Sequence, residues 1–218
     1  MADDNSPEYL ETVIETRIRR ELIQCIRWIQ SSLMAAFFTL DRLKTLQAGQ
    51  TVSCVQSGIN FACPDGRTDP FQAFDFVKKQ FPAGFTSHGK RHFLDWKLLA
   101  PSGTAHATVY NEPIIELVFE LVRRVSFPAC PSRYQSFFAW ERIEDALEFR
   151  RTTGHNSAPV FRVEATSAFR ADMRLLTNGG NALSLWLLAE RYWTGEPSIS
   201  PVWEVLLTPP VFVAEQVG

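Results

Sequence analysis

Glu204 lies in Val-Trp-Glu-Val-Leu-Leu, a segment with the composition of a buried strand, which makes it a candidate for chemistry. A carboxylate in such a segment costs several kcal/mol unless a partner or a function retains it. Strand alternation places Val202, Glu204 and Leu206 on one face. Either that face lines a cleft or Glu204 belongs to an internal ion pair, and the residues alone leave both interpretations open.

The segment Ser-His-Gly-Lys-Arg-His contains a histidine pair at helical spacing, His88 and His92. Gly89 interrupts the segment and no third metal ligand follows nearby, so we expect a basic surface loop without a metal. Lys90 and Arg91 could contact a phosphate. The sequence contains no glycine-rich dinucleotide or P-loop motif and no nucleophile elbow.

Composition indicates a soluble, folded protein with a core rich in rings. Of the 218 residues, 45% are hydrophobic and 21% charged, with 17 Phe and 6 Trp. The net charge of −2 supplies no general field for nucleic acid. No apolar run reaches the roughly 18 residues of a membrane span, and the acidic N-terminus lacks a general export signal. The four cysteines, which we expect to be reduced thiols, are Cys25, Cys54, Cys63 and Cys130.

Hydrophobic periodicity predicts helices and strands without a repeating βαβ order. The predicted helices are 7–30, 70–81, 112–124, 141–150 and 181–192, with one helical turn after Asp41. The predicted strands are 33–39, 51–55, 92–99, 134–140, 159–165, 202–207 and 210–214. We therefore expect an α+β fold with a split, mostly antiparallel sheet.

The predicted elements divide the chain into an N-terminal helical element, residues 1–31, and one domain, residues 32–218. Residues 56–110 are rich in loops and are expected to form an insertion. The first helix has an apolar stripe that must be buried. It either packs on its own domain or docks a partner.

Three segments in order resemble the ADP-ribosyltransferase superfamily: a short strand ending Phe-Phe-Thr at residue 39, Pro-Ser-Arg-Tyr-Gln-Ser-Phe-Phe-Ala-Trp from residue 131, and Tyr-Trp-Thr-Gly-Glu followed by Pro-Val-Trp-Glu-Val-Leu-Leu. The likeness is to bacterial members and covers residues 33–213, with 56–110 fitting worst. It implies a split antiparallel sheet that binds NAD as co-substrate. It also implies a catalytic carboxylate on a late strand.

The resemblance implies a role for each matching residue. Glu204 falls at the catalytic carboxylate, which would stabilise positive charge on the ribose as nicotinamide leaves. Arg133 would contact the pyrophosphate, with Arg124 behind it. The other implied NAD-contacting residues are Phe38, Thr39, Ser132, Tyr134, Ser136 and Phe138. Trp140 is a further candidate wall for the nicotinamide, and residues 193–201 are implied to contact the acceptor.

Two departures from the family pattern bear on function. The first-strand Arg or His of the family is absent, and Val202 stands where arginine-modifying members carry Glu or Gln. The resemblance therefore implies mono-ADP-ribosylation of a macromolecule other than arginine. Threonine of host ubiquitin is one such acceptor, since the sequence is also similar to secreted bacterial effectors that modify it.

Other functions stay open at this stage. The same cleft would serve an NAD glycohydrolase or, less readily, transfer to a nucleic-acid base. A different class is an inactive binding or interaction module on this scaffold, in which Glu204 pairs inside the core. We expect a cytoplasmic protein in the producing cell, with export by a specialised secretion system as the alternative, and no membrane partner.

Overall fold

The computed structural model describes residues 28–56, 69–95 and 111–218. These residues form six strands and five α-helices. The strands are β1 (Trp28–Leu40), β2 (Thr51–Val52), β3 (Phe137–Ala139), β4 (Val160–Asp172), β5 (Trp203–Leu207) and β6 (Val211–Gln216). The helices are α1 (Pro70–Gln80), α2 (Ser87–Gly89), α3 (Asn111–Ser126), α4 (Ile143–Thr152) and α5 (Ala182–Thr194).

All strand pairs are antiparallel, and β4 is the central strand of the sheet. Along one edge β4 pairs with β1. Along the other edge, residues 161–164 pair with β6 and residues 168–172 pair with β5. The sheet therefore divides along β4 into two arms, β6–β2 and β5–β3. The predicted α+β class with an antiparallel sheet is confirmed.

A backbone bridge joins the end of β1 to the end of β3. The Phe38 N–H donates to the Trp140 carbonyl at 2.8 Å, and the Trp140 N–H donates to the Phe38 carbonyl at 2.7 Å. Since β3 also pairs with β5, strands β1, β3, β5 and β4 close a circuit of pairings. The circuit fixes β3 and β5, which flank the candidate site.

Alternating side chains of β4 and β5 supply the core on both faces of the sheet. Leu206 and Phe169 lie on the face covered by α3 and α5, where they pack with Phe119, Tyr192 and Trp193. Residues of the opposite face form a second cluster, including Phe37, Val163, Val205, Leu207 and Val213. Glu204 shares the parity of Leu206, so its carboxylate lies on the helix-covered face.

Local signals set the ends of two predicted helices. The Asp69 side chain accepts the Phe71 N–H at 3.0 Å and caps α1, which begins with Pro70. The Asn181 side chain accepts the Ser184 N–H at 2.9 Å at the start of α5. Gly195 ends α5 at a φ of 69°, a left-handed conformation that favours glycine. Among the described residues, no helix has the length and apolar composition needed to cross a membrane.

Several predicted elements were wrong. Trp28–Gln30, predicted as the end of the N-terminal helix, pair with residues 167–169 because β4 extends beyond its predicted end at residue 165. The rest of that helix lies outside the described residues. The predicted helical turn after Asp41 is irregular, and the Asp41 carboxylate accepts the Leu46 N–H at 2.7 Å.

Two corrections concern the residues around the site. Lys90–Asp95, expected to include the start of a strand at residue 92, form a π-helical turn that continues from α2. The rest of that predicted strand lies outside the described residues. Tyr134 and Gln135, the first residues of the predicted strand 134–140, instead belong to a 3₁₀ turn, Arg133–Gln135, because the Ser132 and Arg133 carbonyls accept the N–H groups of Gln135 and Ser136. This turn aims Arg133 into the core before β3 begins.

Candidate functional site

Glu204 lies at the centre of a buried polar cluster between β5 and the covering helices. The residue is 5% exposed. Its Oε1 atom accepts a hydrogen bond from Arg133 Nη1 at 2.6 Å and another from the Tyr192 hydroxyl at 2.8 Å. Of the two interpretations that the sequence left open, the internal ion pair is the one present in the structure.

Arg133 binds a second carboxylate, Glu116 of α3, through two parallel hydrogen bonds. Nε donates to Oε2 at 2.8 Å and Nη2 to Oε1 at 2.9 Å, the fork geometry typical of strong guanidinium–carboxylate pairs. Nη1 also bonds the Tyr192 hydroxyl. The Arg133 guanidinium lies over the Phe138 ring, 4.7 Å from its centroid. We call Glu116, Arg133, Tyr192, Glu204 and His88 the Arg133 cluster.

The ionisation of this cluster is set by burial and by its opposite charges. Burial would raise the pKa of Glu116, but the Arg133 guanidinium and then His88 hold that pKa well below its ordinary value. Burial would lower the pKa of Arg133, but Glu116 and Glu204 raise it well above the ordinary range. Burial raises the pKa of Tyr192, so its hydroxyl keeps its proton. Arg133 and Glu116 therefore form a true ion pair at neutral pH.

His88 and His92 lie beside the cluster on α2 and its π-helical continuation. His88 Nε2 is 3.2 Å from Glu116 Oε1, and the two imidazole rings stack with centroids 4.3 Å apart. Burial, followed by the charge of His88, lowers the pKa of His92 to about 4. The prediction of a surface loop was wrong, since both rings are half-buried in a helical turn. No group of three potential metal ligands occurs within the ranges that the structure describes.

A close backbone contact holds α2 against the turn that carries Arg133. A Cβ atom at Gly89 would lie 1.9 Å from the Tyr134 carbonyl oxygen, so only glycine fits at this approach. The same carbonyl accepts the Thr86 N–H at 3.1 Å. Of residues 56–110, predicted to be an insertion of loops, the described segment around Thr86 and Gly89 therefore packs as part of the site.

Three further predicted contact residues, Ser132, Ser136 and Thr39, lie near the cluster, but protein groups accept hydrogen bonds from their hydroxyls. Ser132 donates to Glu120 Oε2 at 2.9 Å, and Ser136 donates to the Ser132 carbonyl at 2.8 Å. The Thr39 hydroxyl donates to the Phe138 carbonyl at 2.8 Å. These contacts connect β1, β3 and the Arg133 turn.

The predicted ring contacts divide into buried and half-buried positions. Tyr134 is buried and packs against Phe81 and Phe93, and Trp140 is buried against Phe149. Phe138 is half-buried and contacts the His88 ring at a tilt of 56°, and Phe38 is half-buried where β1 meets Trp140. Only the half-buried rings offer surface to a ligand in this conformation.

Two further buried carboxylates have defined partners. Glu120 accepts hydrogen bonds from Arg123 and Arg124. Asp172 is buried where β4 ends and binds backbone groups. Its carboxylate accepts the backbone N–H groups of Arg174, Ser198 and Val202 at 3.0, 2.7 and 2.9 Å, and so anchors the loop that enters β5.

Sequence reasoning did not assign Glu116 or the Tyr192 hydroxyl to the site. Both have signals in the sequence. Glu116 and Glu120 are carboxylates at four-residue spacing within the otherwise apolar Ile-Ile-Glu-Leu-Val-Phe-Glu, so they share a face of α3. Tyr192 opens the Tyr-Trp-Thr-Gly segment, at a helical position that faces the sheet.

Comparison with known families adds one match. Residues 74–218 match a family described as "Protein of unknown function (DUF2441)". The matched range is more than half of the chain and contains every residue of the Arg133 cluster. No curated protein matches the sequence.

Proposed function

The chain belongs to the DUF2441 family, whose description states no activity, and we propose from the residues of the site that it transfers ADP-ribose from NAD to a macromolecular acceptor. The observation that carries the proposal is that residues from three separate segments of the sequence meet at one site. The three segments Pro-Ser-Arg, Tyr-Trp-Thr-Gly and Trp-Glu-Val-Leu-Leu supply Arg133, Tyr192 and Glu204, which bond directly to one another. Segments far apart in the chain thus support one site.

The reaction breaks the bond between nicotinamide and the anomeric carbon of the ribose. The nicotinamide nitrogen takes the bonding electrons, and positive charge develops on the sugar as in glycoside cleavage. A fixed carboxylate near the ribose stabilises that charge, an effect typically of about 3 to 4 kcal/mol. Glu204 has this role in the proposal. The acceptor then bonds the anomeric carbon and releases its proton.

The buried state of Glu204 imposes a requirement on this mechanism. Its Oε1 atom already accepts hydrogen bonds from Arg133 and Tyr192. A ribose hydroxyl must therefore replace one of these donors or bind the other carboxylate oxygen. Arg133 stays neutralised during such an exchange, because Glu116 holds it by two further bonds.

The acceptor in the proposal is a macromolecule other than arginine, because Val202 offers no carboxylate upstream of Glu204. A protein hydroxyl, such as a threonine of ubiquitin in a host cell, is compatible with that difference. A target in a host cell would require export of the protein from the producing cell, whereas a target inside the producing cell would not. Nicotinamide release without labelled protein would instead identify water as the acceptor, as in an NAD glycohydrolase.

A second candidate function is a non-catalytic interaction module, and one observation favours it. Glu204 is 5% exposed and bonded to Arg133 and Tyr192. A buried carboxylate with such partners needs no catalytic role to be retained, because losing the pair leaves an uncompensated charge. Under this alternative, the protein neither binds NAD nor releases nicotinamide.

Glu204→Gln separates the two candidates when it is compared with Glu116→Gln. Both substitutions remove one carboxylate partner of Arg133, so both lower the free energy of unfolding. For the transferase we expect at least a hundredfold loss of nicotinamide release in E204Q and less than a tenfold loss in E116Q. Release is measured with NAD labelled in the nicotinamide, at a temperature where circular dichroism shows both variants folded.

Parallel losses in the two variants would identify Glu204 as a structural partner only. Wild-type protein that neither releases nicotinamide nor binds NAD in calorimetry would support the interaction module. Incubating the wild type with NAD labelled in the adenosine and a cell lysate identifies the acceptor through the protein that carries the label.

A further inference from the structure

Helix α3 buries carboxylates and exposes apolar side chains, the reverse of the usual surface helix. Its carboxylates Glu116 and Glu120 are buried. Its exposed side presents Leu117, Leu121 and Val125 at four-residue steps, and Val125 is 73% exposed. A helix that is apolar on its outer side as well as its inner side is typical of a helix covered on both. The outer side of α3 is therefore suited to a further partner.

Helix α5 adds a second exposed apolar stripe. Leu183, Trp186 and Leu187 lie at three- and four-residue steps, and all three are exposed. α5 packs against α3, and both helices cover the same face of the sheet. Large apolar residues grouped in this way mark an interaction site, unlike apolar residues exposed singly. We call the six exposed residues of the two helices the outer apolar face: Leu117, Leu121, Val125, Leu183, Trp186 and Leu187.

The sequence before β1 has the pattern of a helix that would fit such a face. Residues 1–27 lie outside the described part of the chain. Their sequence predicts an amphipathic helix with apolar residues at four-residue steps, which are Leu10, Ile14, Ile18, Leu22 and Ile26. A single helix of this kind is marginal in water and gains most of its stability by burying its apolar side. The predicted helix therefore needs a surface like the outer apolar face.

The length of this segment and the place where it joins the fold favour the outer apolar face. The segment ends at Trp28, whose backbone pairs with Phe169 of β4. The Phe169 ring packs against the rings of Tyr192 and Trp193 in α5, at 6.5 and 5.6 Å between centroids. The chain thus enters the fold beside α5. A helix of residues 7–27 would span about 30 Å, and the 16 residues of α3 span about 24 Å.

The other segments outside the described ranges fit this face less well. Residues 57–68 and residues 96–110 each contain both proline and glycine. These two residue types disfavour the interior of a helix. Residues 1–27 contain no glycine, and their single proline, Pro7, stands in the first turn of the predicted helix, where proline is accommodated. The N-terminal segment is therefore the occupant that the sequence favours.

We propose that residues 7–27 dock as a helix on the outer apolar face of α3 and α5 within the same molecule. The docked helix would cover the apolar residues that α3 and α5 turn away from the sheet. Because these two helices carry Glu116 and Tyr192, docking also stabilises the elements that hold the Arg133 cluster. The proposal goes beyond the transferase function and does not depend on it.

Photo-cross-linking in the full chain tests where the segment lies. The photoreactive residue benzoylphenylalanine replaces Ile18 on the apolar side of the predicted helix or, as the matched control, Arg20 on the opposite side. Position 18 should cross-link to peptides of α3 or α5 with a yield at least about tenfold higher than position 20. Mixing isotope-labelled and unlabelled protein before irradiation shows by mass spectrometry whether both cross-linked peptides come from one molecule.

Melting temperatures test the same contact independently. Leu187→Ser alters an exposed position, and such a change has little effect unless another part of the molecule covers it. If residues 7–27 dock there, L187S and Ile18→Ser should each lower the melting temperature by at least about 3 °C. The double variant should lower it by less than the sum of the two, because both remove one contact. Leu43→Ser, an exposed leucine in the loop after β1, is the control and should shift it by less than about 1 °C.

Cross-links from position 18 to a second molecule would assign the outer apolar face to a second copy and overturn the proposal. Cross-links only to other parts of the chain, or none, would also overturn it, as would additive shifts in the double variant. Failure of the transferase function gives a different result, because a docked segment without nicotinamide release refutes only the transferase. Nicotinamide release with no cross-link to α3 or α5 refutes only the docking.

Discussion

Glu116 and Glu120 lie one turn apart on α3, and both are buried, but they are neutralised in different ways. Glu120 bonds Arg123 and Arg124 of its own helix, at spacings of three and four residues, and Ser132 nearby. Glu116 bonds Arg133 from the 3₁₀ turn and lies beside His88 of α2. Arg133 in turn connects Glu116 to Glu204 of β5 and Tyr192 of α5.

The difference teaches which ion pairs organise this protein. The pairs of Glu120 connect neighbours on one helix, so they need only that α3 be helical. Arg123 and Arg124 are also partly exposed, and water can replace their carboxylate. The pairs of Glu116 join elements that meet only in the folded protein, and both partners are buried. We therefore expect substitutions in the ion pairs of Glu116 to lower the stability of the protein far more than substitutions in the ion pairs of Glu120.

Arg133→Met gives the largest expected effect. It leaves Glu116 and Glu204 buried without their common counter-charge, and breaking such a pair costs about 3 to 5 kcal/mol. The control, Arg123→Met, leaves Glu120 bonded to Arg124 and should cost about 1 kcal/mol. Urea unfolding followed by circular dichroism measures the loss of stability in both variants. Equal losses would contradict the distinction between the ion pairs of Glu116 and those of Glu120.

The two carboxylates themselves give an intermediate effect. Glu116→Gln keeps the shape of the side chain but removes the charge that holds Arg133 on two of its nitrogens, and we expect a loss of about 2 to 3 kcal/mol. Glu120→Gln should lose about 1 kcal/mol, since Arg123 and Arg124 can turn to solvent. The ratio of the two losses in thermal unfolding tests the comparison. A larger loss in E120Q would reverse it.

Lowering the pH gives the smallest expected change in stability. The group that titrates is His92, which lies beside the Arg133 cluster. The pKa of His92 is about 4 in the folded protein against 6.5 ordinarily, so between these values the unfolded chain binds more protons. Stability should therefore fall as the pH falls from 6.5 towards 4. Allowing for partial exposure of His92, we expect a loss of about 1 kcal/mol between pH 7 and pH 5.

His92→Gln should remove most of that pH dependence, whereas His155→Gln, an exposed control, should leave it in place. Urea unfolding at pH 7, 6 and 5 provides the measurement. Equal slopes for H92Q and the wild type would show that His92 is not the titrating group. The pKa of Glu116 is lowered from its ordinary value of 4.5, so this group affects stability only at pH values near and below 4.5, outside the range measured.

Predictions from the sequence succeeded where a local pattern defines the structure. The apolar spacing of residues 112–124 predicted α3, and that of residues 70–81 predicted α1. Predictions failed where distant partners decide the backbone. Residues 28–30 are strand because β4 pairs with them, and the Arg133 turn replaces the first two residues of the predicted strand 134–140, since the Arg133 side chain is bound inside the core.

The residues of the candidate site show the same difference between local patterns and distant partners. Glu204 is recognisable in the sequence because it is a carboxylate within an apolar strand segment, whereas Arg133, Ser132 and Phe138 were assigned through the resemblance of their segment to a family. Glu116 and His88 stand out in the sequence as an acid on an apolar helix and a member of a histidine pair, but only their partners in the fold assign them to the site. Those partners, Arg133 and Phe138, are 17 residues or more away in sequence.

By itself, the sequence determined the α+β class, most helices and the late strand of Glu204, because periodicity and capping act over a few residues. Only the tertiary structure decided that Arg133 binds both Glu116 and Glu204 and that His88 and His92 are partly buried. Those contacts depend on α2, α3, α5 and β5 meeting at one place. The energy of a buried charge is set by partners that no local pattern specifies.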